Sequence, residues 1–317
     1  MSSPVVGEMN SEPSGIQPPY GIIIDELLIG NVIPFLGAGA SMVQLPGPAE
    51  PDPGQNCAAL LPSSAELARL LAEDCSYPSI DAAERNDLAK VSSYFVDGSN
   101  RGALRRRLRS VLLSRSQRSN SLHNLLAQAA NNLMIVTTNY DSLVEQAFLN
   151  AQKPYDLVVY PADNQEYANG VLWWKHGEPE PTKLKSNQID IKDLFGRNII
   201  YKIHGSIQTA SERWDSFVVT EEDYIRFLSR MNNAVPAAFR EFFGSRAFLF
   251  LGYGLKDWNL RVLLKEVSDP KTMSWAILLR PSALEQQLWR RRNVNIFDMR
   301  LEDFVAQMER RLNDRGL

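Results

Sequence analysis

Cysteine is nearly missing from this chain of 317 residues: Cys57 and Cys75 are the only two. A four-cysteine zinc site is therefore impossible, and a disulfide scaffold is not expected, which suits a reducing compartment. No apolar run approaches the ~20 residues of a membrane span. The segment Met1 to Pro19 lacks the basic start and apolar stretch of a secretory leader, and its Ser, Pro and Gly content reads as a flexible tail. Charge of one sign is missing too. Lys plus Arg number 34 against 37 for Asp plus Glu, so no global basic field draws the chain to nucleic acid. The P-loop spacing Gly-x-x-x-x-Gly-Lys-Ser/Thr occurs nowhere, which argues against a P-loop nucleotidase. What remains is a chain of 44% hydrophobic content, long enough to bury a large core in one or two domains and expected in the cytoplasm.

What is present is one construction repeated four times. Leu133 to Val136 is an apolar run that breaks into Thr137, Thr138, Asn139 and Asp141, followed by helical spacing at Leu143, Val144, Ala147 and Phe148. Asn31 to Leu36 runs into Gly37-Ala38-Gly39-Ala40-Ser41. Asn198 to Ile203 ends in His204-Gly205, and Ala247 to Leu251 runs into Gly252-Tyr253-Gly254 and Asp257. Strands that each end in glycine or small polar groups place those ends along one edge of a parallel sheet, where open α/β folds hold their ligands. Without a Cβ, Gly37 and Gly39 are free to take positive φ and to let the backbone approach a ligand. A helix after them would make a diphosphate site, although the third glycine of Gly-x-Gly-x-x-Gly is replaced by Met42.

Helical spacing fills Ser63 to about Ala129, so a helical layer at about 63–130 is inserted between the first two strands. Strands and helices then alternate to the end, with strands at Ala247–Leu251, Ser274–Leu279 and Val294–Phe297 and a last helix near Leu301–Leu312. Such alternation implies a doubly wound, Rossmann-like parallel sheet spanning residues 20–317. The polar stretch 161–197 reads as an irregular insertion.

Together the motifs Gly37–Ser41, Thr137–Asp141, Lys202–Ser206 and Gly252–Asp257, with Thr220-Glu221-Glu222-Asp223-Tyr224 and His123, resemble the sirtuin-like NAD-consuming domain of prokaryotic anti-phage defence proteins. The resemblance runs in order from about Ile33 to Leu264. Departures are equally informative: the zinc ribbon of deacetylating sirtuins is absent, no metal is expected, and their Asp-Phe-Arg gives way to a proline-rich stretch, Leu45 to Pro62. Thr138 stands where sirtuins carry Gln. These differences point to hydrolysis rather than deacylation.

The resemblance implies an NAD glycohydrolase with NAD as substrate, Asn139 and His204 as catalytic groups, Asp141 accepting from the nicotinamide amide, and Thr138 among the NAD-binding residues. It puts Gly37, Ala38, Gly39 and Ser41 at the diphosphate, with Gly252, Gly254 and Asp257 on the ribose side. It also implies a defence effector, with self-assembly into a homo-oligomer or a separate activating subunit, an ATPase or nucleic-acid-guided protein, as its trigger. Histidine suits a base because its ordinary pKa of ~6.5 lies near working pH. Asparagine offers a donor and an acceptor without a charge. Other readings stay open. His176-Gly177 competes for the base, Asp257 either caps a helix carrying Leu260, Leu263 and Leu264 or reaches the ligand, and His123 reads as structural. The arginines 101, 105, 106, 107 and 109 read first as a solvated face and second as a surface for an acidic partner or nucleic acid, and Trp173-Trp174 first as packing and second as a stacking platform for a base. The rival functions are a non-catalytic NAD or ADP-ribose binding module and an NAD-dependent protein deacylase.

Overall fold

The computed structural model describes residues 17–44, 60–115, 118–164, 167, 169–208, 211–254, 262, 264 and 272–316. Of the expected N-terminal tail only residues 17–19 are among them. Most of the Leu45–Pro62 stretch and Asp257 lie outside the described residues.

The strands are β1 (Val32–Leu36), β2 (Met134–Thr137), β3 (Tyr155–Val159), β4 (Gly170–Trp174), β5 (Thr182–Lys185) and β6 (Asn198–Lys202). After them come β7 (Gly205–Ser206), β8 (Ser216–Phe217), β9 (Ala247–Leu251), β10 (Ser274–Leu278) and β11 (Val294–Asp298). Nine form one sheet in the order β11-β10-β9-β1-β2-β6-β3-β4-β5, and β7 pairs with β8 separately. From β11 to β3 every pairing is parallel.

Strands covered on both faces must be apolar at every position, not at alternate ones. That is why β1, β2 and β9 read as unbroken apolar runs, and every residue of each is buried. Val32, Leu36, Ile135, Leu249 and Leu251 face one core, shared with helices Tyr20–Leu28, Ser121–Ala129, Leu143–Asn150 and Leu301–Asn313. Ile33, Phe35, Met134, Val136, Phe248 and Phe250 face the other, shared with helices Glu221–Ser229, Ala237–Gly244 and Ala283–Arg290. The doubly wound parallel sheet inferred from the alternation of elements is therefore the architecture of the protein.

Three strands of the main sheet, and the short β7–β8 ribbon, escape the sequence reading. In β3 a carboxylate, Asp156, interrupts the apolar run. It is buried because Trp173 Nε1 (2.9 Å), the His176 backbone N–H (2.9 Å) and Arg197 Nη1 (2.7 Å) all donate to it. The 161–197 stretch then adds β4 and β5 as an antiparallel hairpin on the sheet's edge. Lysines in that edge strand discourage further pairing.

A third core sits above the carboxyl ends of the strands. Leu67, Leu71, Val91, Leu104, Leu108 and Leu112 pack there with Phe217 and Val219, next to the short β7–β8 ribbon. They come from helices Ser64–Asp74, Leu88–Gly98 and Arg101–Leu113, whereas helix Ser121–Ala129 packs with the sheet's flank. Three arginines of the run tether this roof, while Arg106 is exposed as a solvated face requires and Arg107 pairs with Asp74 at the surface. Arg101 reaches Asp163 (2.9 Å) and Asp223 (2.7 Å), Arg105 reaches Asp163 (2.9 Å), and Arg109 reaches Asp215 (2.7 Å). All three carboxylates are buried, so each needs such a partner.

From β1 the chain crosses to β2 on one side, and from β9 to β10 on the other. Adjacent parallel strands whose connections diverge leave a crevice between them, so the ligand position is set by topology. The two turns that leave β1 and β9 meet there. Gly37 N–H donates to Leu251 O (3.1 Å) and Gly39 N–H to Gly252 O (2.9 Å). Gly252 has φ +64°, and a Cβ on it would lie 2.1 Å from Ala40 N. Gly37 and Gly39 do not take the positive φ expected of them. They are glycine because a Cβ on either would come within 2.7 and 2.9 Å of Gly252 O. Gly252→Ala is thus expected to lose more than the ~1–2 kcal/mol of a left-handed residue alone, because backbone must also move. In urea titrations of both variants, Gly254→Ala, where a Cβ meets nothing within 4 Å, should stay near wild type.

Candidate functional site

The crevice holds a cleft of about 370 Å³, within the size range of small-molecule sites. Three elements floor it. The turn after β1, Ala38–Met42, brings Ala38, Gly39 and Ser41; the loop after β2 brings Thr138, Asn139, Tyr140 and Asp141; and the end of β6 brings His204. Gly252, Tyr253 and Gly254 close one side, Tyr224 another, and Leu61, Leu67, Leu88 and Leu112 of the roof lie above. Gly37 does not line the cleft; Gly252 and Tyr253 cover it. A second cleft of about 430 Å³ shares Gly39, Gly252, Tyr253 and Gly254 and continues past Ile277–Leu279 to Met299–Glu302.

The polar floor is a directed network. Asn139 Nδ2 donates to Gly37 O (3.0 Å) and to Ser41 Oγ (3.0 Å), and the Ser41 hydroxyl donates to Asp141 Oδ2 (2.9 Å). Asp141 Oδ1 accepts from Leu143 N–H (3.1 Å) at the start of the following helix, whose N-cap position is Ser142 and not Asn139 or Asp141. With both amide hydrogens engaged, Asn139 is left with its carbonyl oxygen, an acceptor, for a ligand. Thr137 Oγ1 accepts from the Asn139 N–H (3.0 Å), and Thr138 N–H donates to Leu36 O (3.1 Å), which pins this loop to β1. His204 is buried, 7% exposed, with its ring edge-on to Tyr224 (5.7 Å) and Phe227 (5.1 Å).

The SIR2-like domain family matches residues 133–297, more than half of the chain and the whole of the β2 loop and β6 end just described. The chain belongs to the SIR2-like family. Similarity to curated proteins follows the same line. NAD(+) hydrolase ThsA of Bacillus cereus (strain MSX-D12) is 27% identical over 205 residues, 63% of this chain and 36% of that protein. NAD(+) hydrolase ThsA of Enterococcus faecium is 24% identical over 240 residues, 75% of this chain and 40% of that one. Defense-associated sirtuin 2 of Bacillus subtilis is 22% identical over 173 residues, 53% of this chain and 14% of that protein. The SIR2-like chain thus spans well under half the length of the curated relatives it matches.

Strand direction separates the two His-Gly pairs of this SIR2-like chain. His204 follows a parallel strand and reaches the carboxyl edge with the glycine turns. His176 follows β4, which runs antiparallel to β3 with Trp174 opposite Leu157, so it emerges at the opposite edge and is exposed. Trp173 is buried, consistent with packing. Two groups under the site carried no expected role. Lys202, fully buried, donates from Nζ to Asp141 O and lies 2.6 Å from Glu145 Oε1. A lysine inside an otherwise apolar strand was the available signal.

His123 occupies the third position of helix Ser121–Ala129, accepting on Nδ1 from Asn120 N–H (3.4 Å) while Asn120 Nδ2 holds Ala40 O (2.8 Å). Burial pushes its imidazole from 6.5 down to about 4, with Asp141 pulling the other way. The unfolded chain binds this proton near pH 6.5 and the folded one only near 4, so the contribution is complete above 6.5 and lost as pH falls toward 4. His123→Gln keeps the capping geometry. Urea stabilities of wild type and variant should therefore converge by about 3 kcal/mol between those pH values, whereas parallel curves would contradict the assignment.

Proposed function

We propose that this SIR2-like chain is an NAD glycohydrolase, splitting NAD and water into nicotinamide, ADP-ribose and a proton. The observation that carries the reading is the convergence of Asn139, His204 and the two glycine turns on one cleft at the β1/β9 switch point. Relatives of 24–27% identity named as NAD(+) hydrolases support it. The two clefts, joined at Gly39 and Gly252, suit a two-lobed ligand. The diphosphate would cross the joint beside Ala38, Gly39 and Ser41, with Gly252 and Gly254 on the ribose side. Asp257 is a further candidate there.

Cleavage of the nicotinamide–ribose bond passes through an oxocarbenium-like sugar cation. Asp141 would accept from the nicotinamide amide, with Thr138 beside it, and hold the leaving group out of the ring plane. The Asn139 carbonyl oxygen would accept from the attacking water or a ribose hydroxyl, and His204 would take the proton released as the new C–O bond forms. The roof leucines would keep bulk water off the cation.

As a biological role we infer a cytoplasmic defence effector that depletes NAD on a trigger, acting as a homo-oligomer or with a separate activating subunit, an ATPase or a nucleic-acid-guided protein. A non-catalytic NAD or ADP-ribose binding module needs no base at His204. An acyl-peptide deacylase would need nicotinamide release to depend on acylated peptide.

Nicotinamide release from NAD, followed by chromatography with and without cell lysate, tests the assignment. His204→Ala should lose about 10²–10⁴-fold as a missing base does, and Asn139→Ala about 10²-fold as a missing positioning group does. Wild-type binding of NAD without release under either condition would favour the binding module.

A further inference from the structure

Lys202 is fully buried, and its ammonium meets one carboxylate, Glu145 Oε1 at 2.6 Å, and one backbone carbonyl, that of Asp141. Glu145 is equally enclosed, and its second oxygen, Oε2, has no partner among the described residues. Burial pushes the Glu145 carboxyl up, and the Lys202 ammonium pulls it back. As a source of stability this is a poor arrangement. Two desolvated charges barely recover their hydration, and apolar side chains of the same size commonly do as well or better. What a charge pair supplies and a leucine does not is a fixed direction for a donor.

That donor points at the backbone of the loop that carries the site. Asp141 O is held by Lys202, so the Asp141 carboxylate is set between Leu143 N–H and the Ser41 hydroxyl. Ser41 Oγ then takes one hydrogen of the Asn139 amide and Gly37 O the other. A chain of directed bonds runs from the buried ammonium to the Asn139 carbonyl oxygen.

We propose that Lys202, clamped by Glu145, is a positioning residue. By holding the Asp141 carbonyl it fixes the Asn139–Asp141 loop in its working orientation at the nicotinamide–ribose end of the site. Lys202 touches no substrate, lies outside the lining of both clefts and acts only through Asp141. The glycine turns that form the joint to the second cleft also hold each other by their own backbone bonds, Gly37 N–H to Leu251 O and Gly39 N–H to Gly252 O. The inference rests on the NAD-cleavage reading of this site.

The test is a double variant, Lys202→Met with Glu145→Gln, which removes the donor without leaving a buried charge alone. It is compared with Glu145→Gln by itself, where the amide oxygen still accepts from Lys202 and the Asp141 contact survives. Nicotinamide release and affinity for ADP-ribose, which lacks the nicotinamide, are read on the intact chain under the conditions in which wild type is active. The double variant should lose on the order of 10²-fold in release, the scale of an approximately ångström-sized misplacement, while ADP-ribose affinity, held chiefly at the glycine turns, changes no more than a few-fold. Glu145→Gln alone should recover most of the activity. Unchanged release in the double variant overturns the inference, and so does a parallel loss of release and ADP-ribose affinity, which marks a merely structural pair. A wild-type chain that binds ADP-ribose at the glycine turns yet never releases nicotinamide overturns the function reading instead, and this one with it.

Discussion

The whole site depends on a contact between two turns of backbone. Gly39 N–H meets Gly252 O at 2.9 Å, and neither Gly37, Gly39 nor Gly252 has room for a Cβ. These three glycines let the chain leave β1 and β9 in opposite directions and still pack carbonyl against Cα. The crevice between diverging crossovers is where a doubly wound sheet offers unoccupied polar backbone. Here that crevice is narrowed to a joint with a cleft on either side. The bulk of the fold, two apolar faces of a parallel sheet and their helices, serves to hold that joint rigid.

On this base the polar groups are layered by burial. Asn139 and His204 face the cleft. Ser41 and Asp141 lie beside and beneath Asn139, and Lys202 and Glu145 lie deeper still. Each layer orients the one above by directed hydrogen bonds, and the deepest pair, Lys202 and Glu145, lies outside the lining of the cleft. The roof is built differently. It has its own leucine core and is tied down by Arg101, Arg105 and Arg109 onto buried carboxylates, Asp163 and Asp215 in loops and Asp223 in the first turn of helix Glu221–Ser229.

Much of this is legible in the chain because burial on both faces writes unbroken apolar runs, and β1, β2, β6 and β9 end abruptly in small polar residues. Where a run is interrupted by a satisfied polar group, as at Asp156 in β3, the pattern fails, since its three donors are brought together only by the fold. The choice between His204 and His176 was open for a related reason: a His-Gly pair looks the same after a parallel or an antiparallel strand, and only pairing tells which edge it reaches. The glycines were recognised as special, but the partner that excludes their side chains is another turn over 200 residues away. Lys202 stands in plain view beside His204, and its role does not, because its acceptors come from the loop and helix that follow β2, about 60 residues earlier in the chain.

A structure of the chain with ADP-ribose bound tests the central claim most directly. The diphosphate is expected astride the Gly39–Gly252 contact, adenosine in the cleft toward Met299–Glu302, and the distal ribose C1 beside Asn139 and His204. Adenine in the Asn139 cleft, or a ligand lodged away from the joint of the two turns, would contradict it.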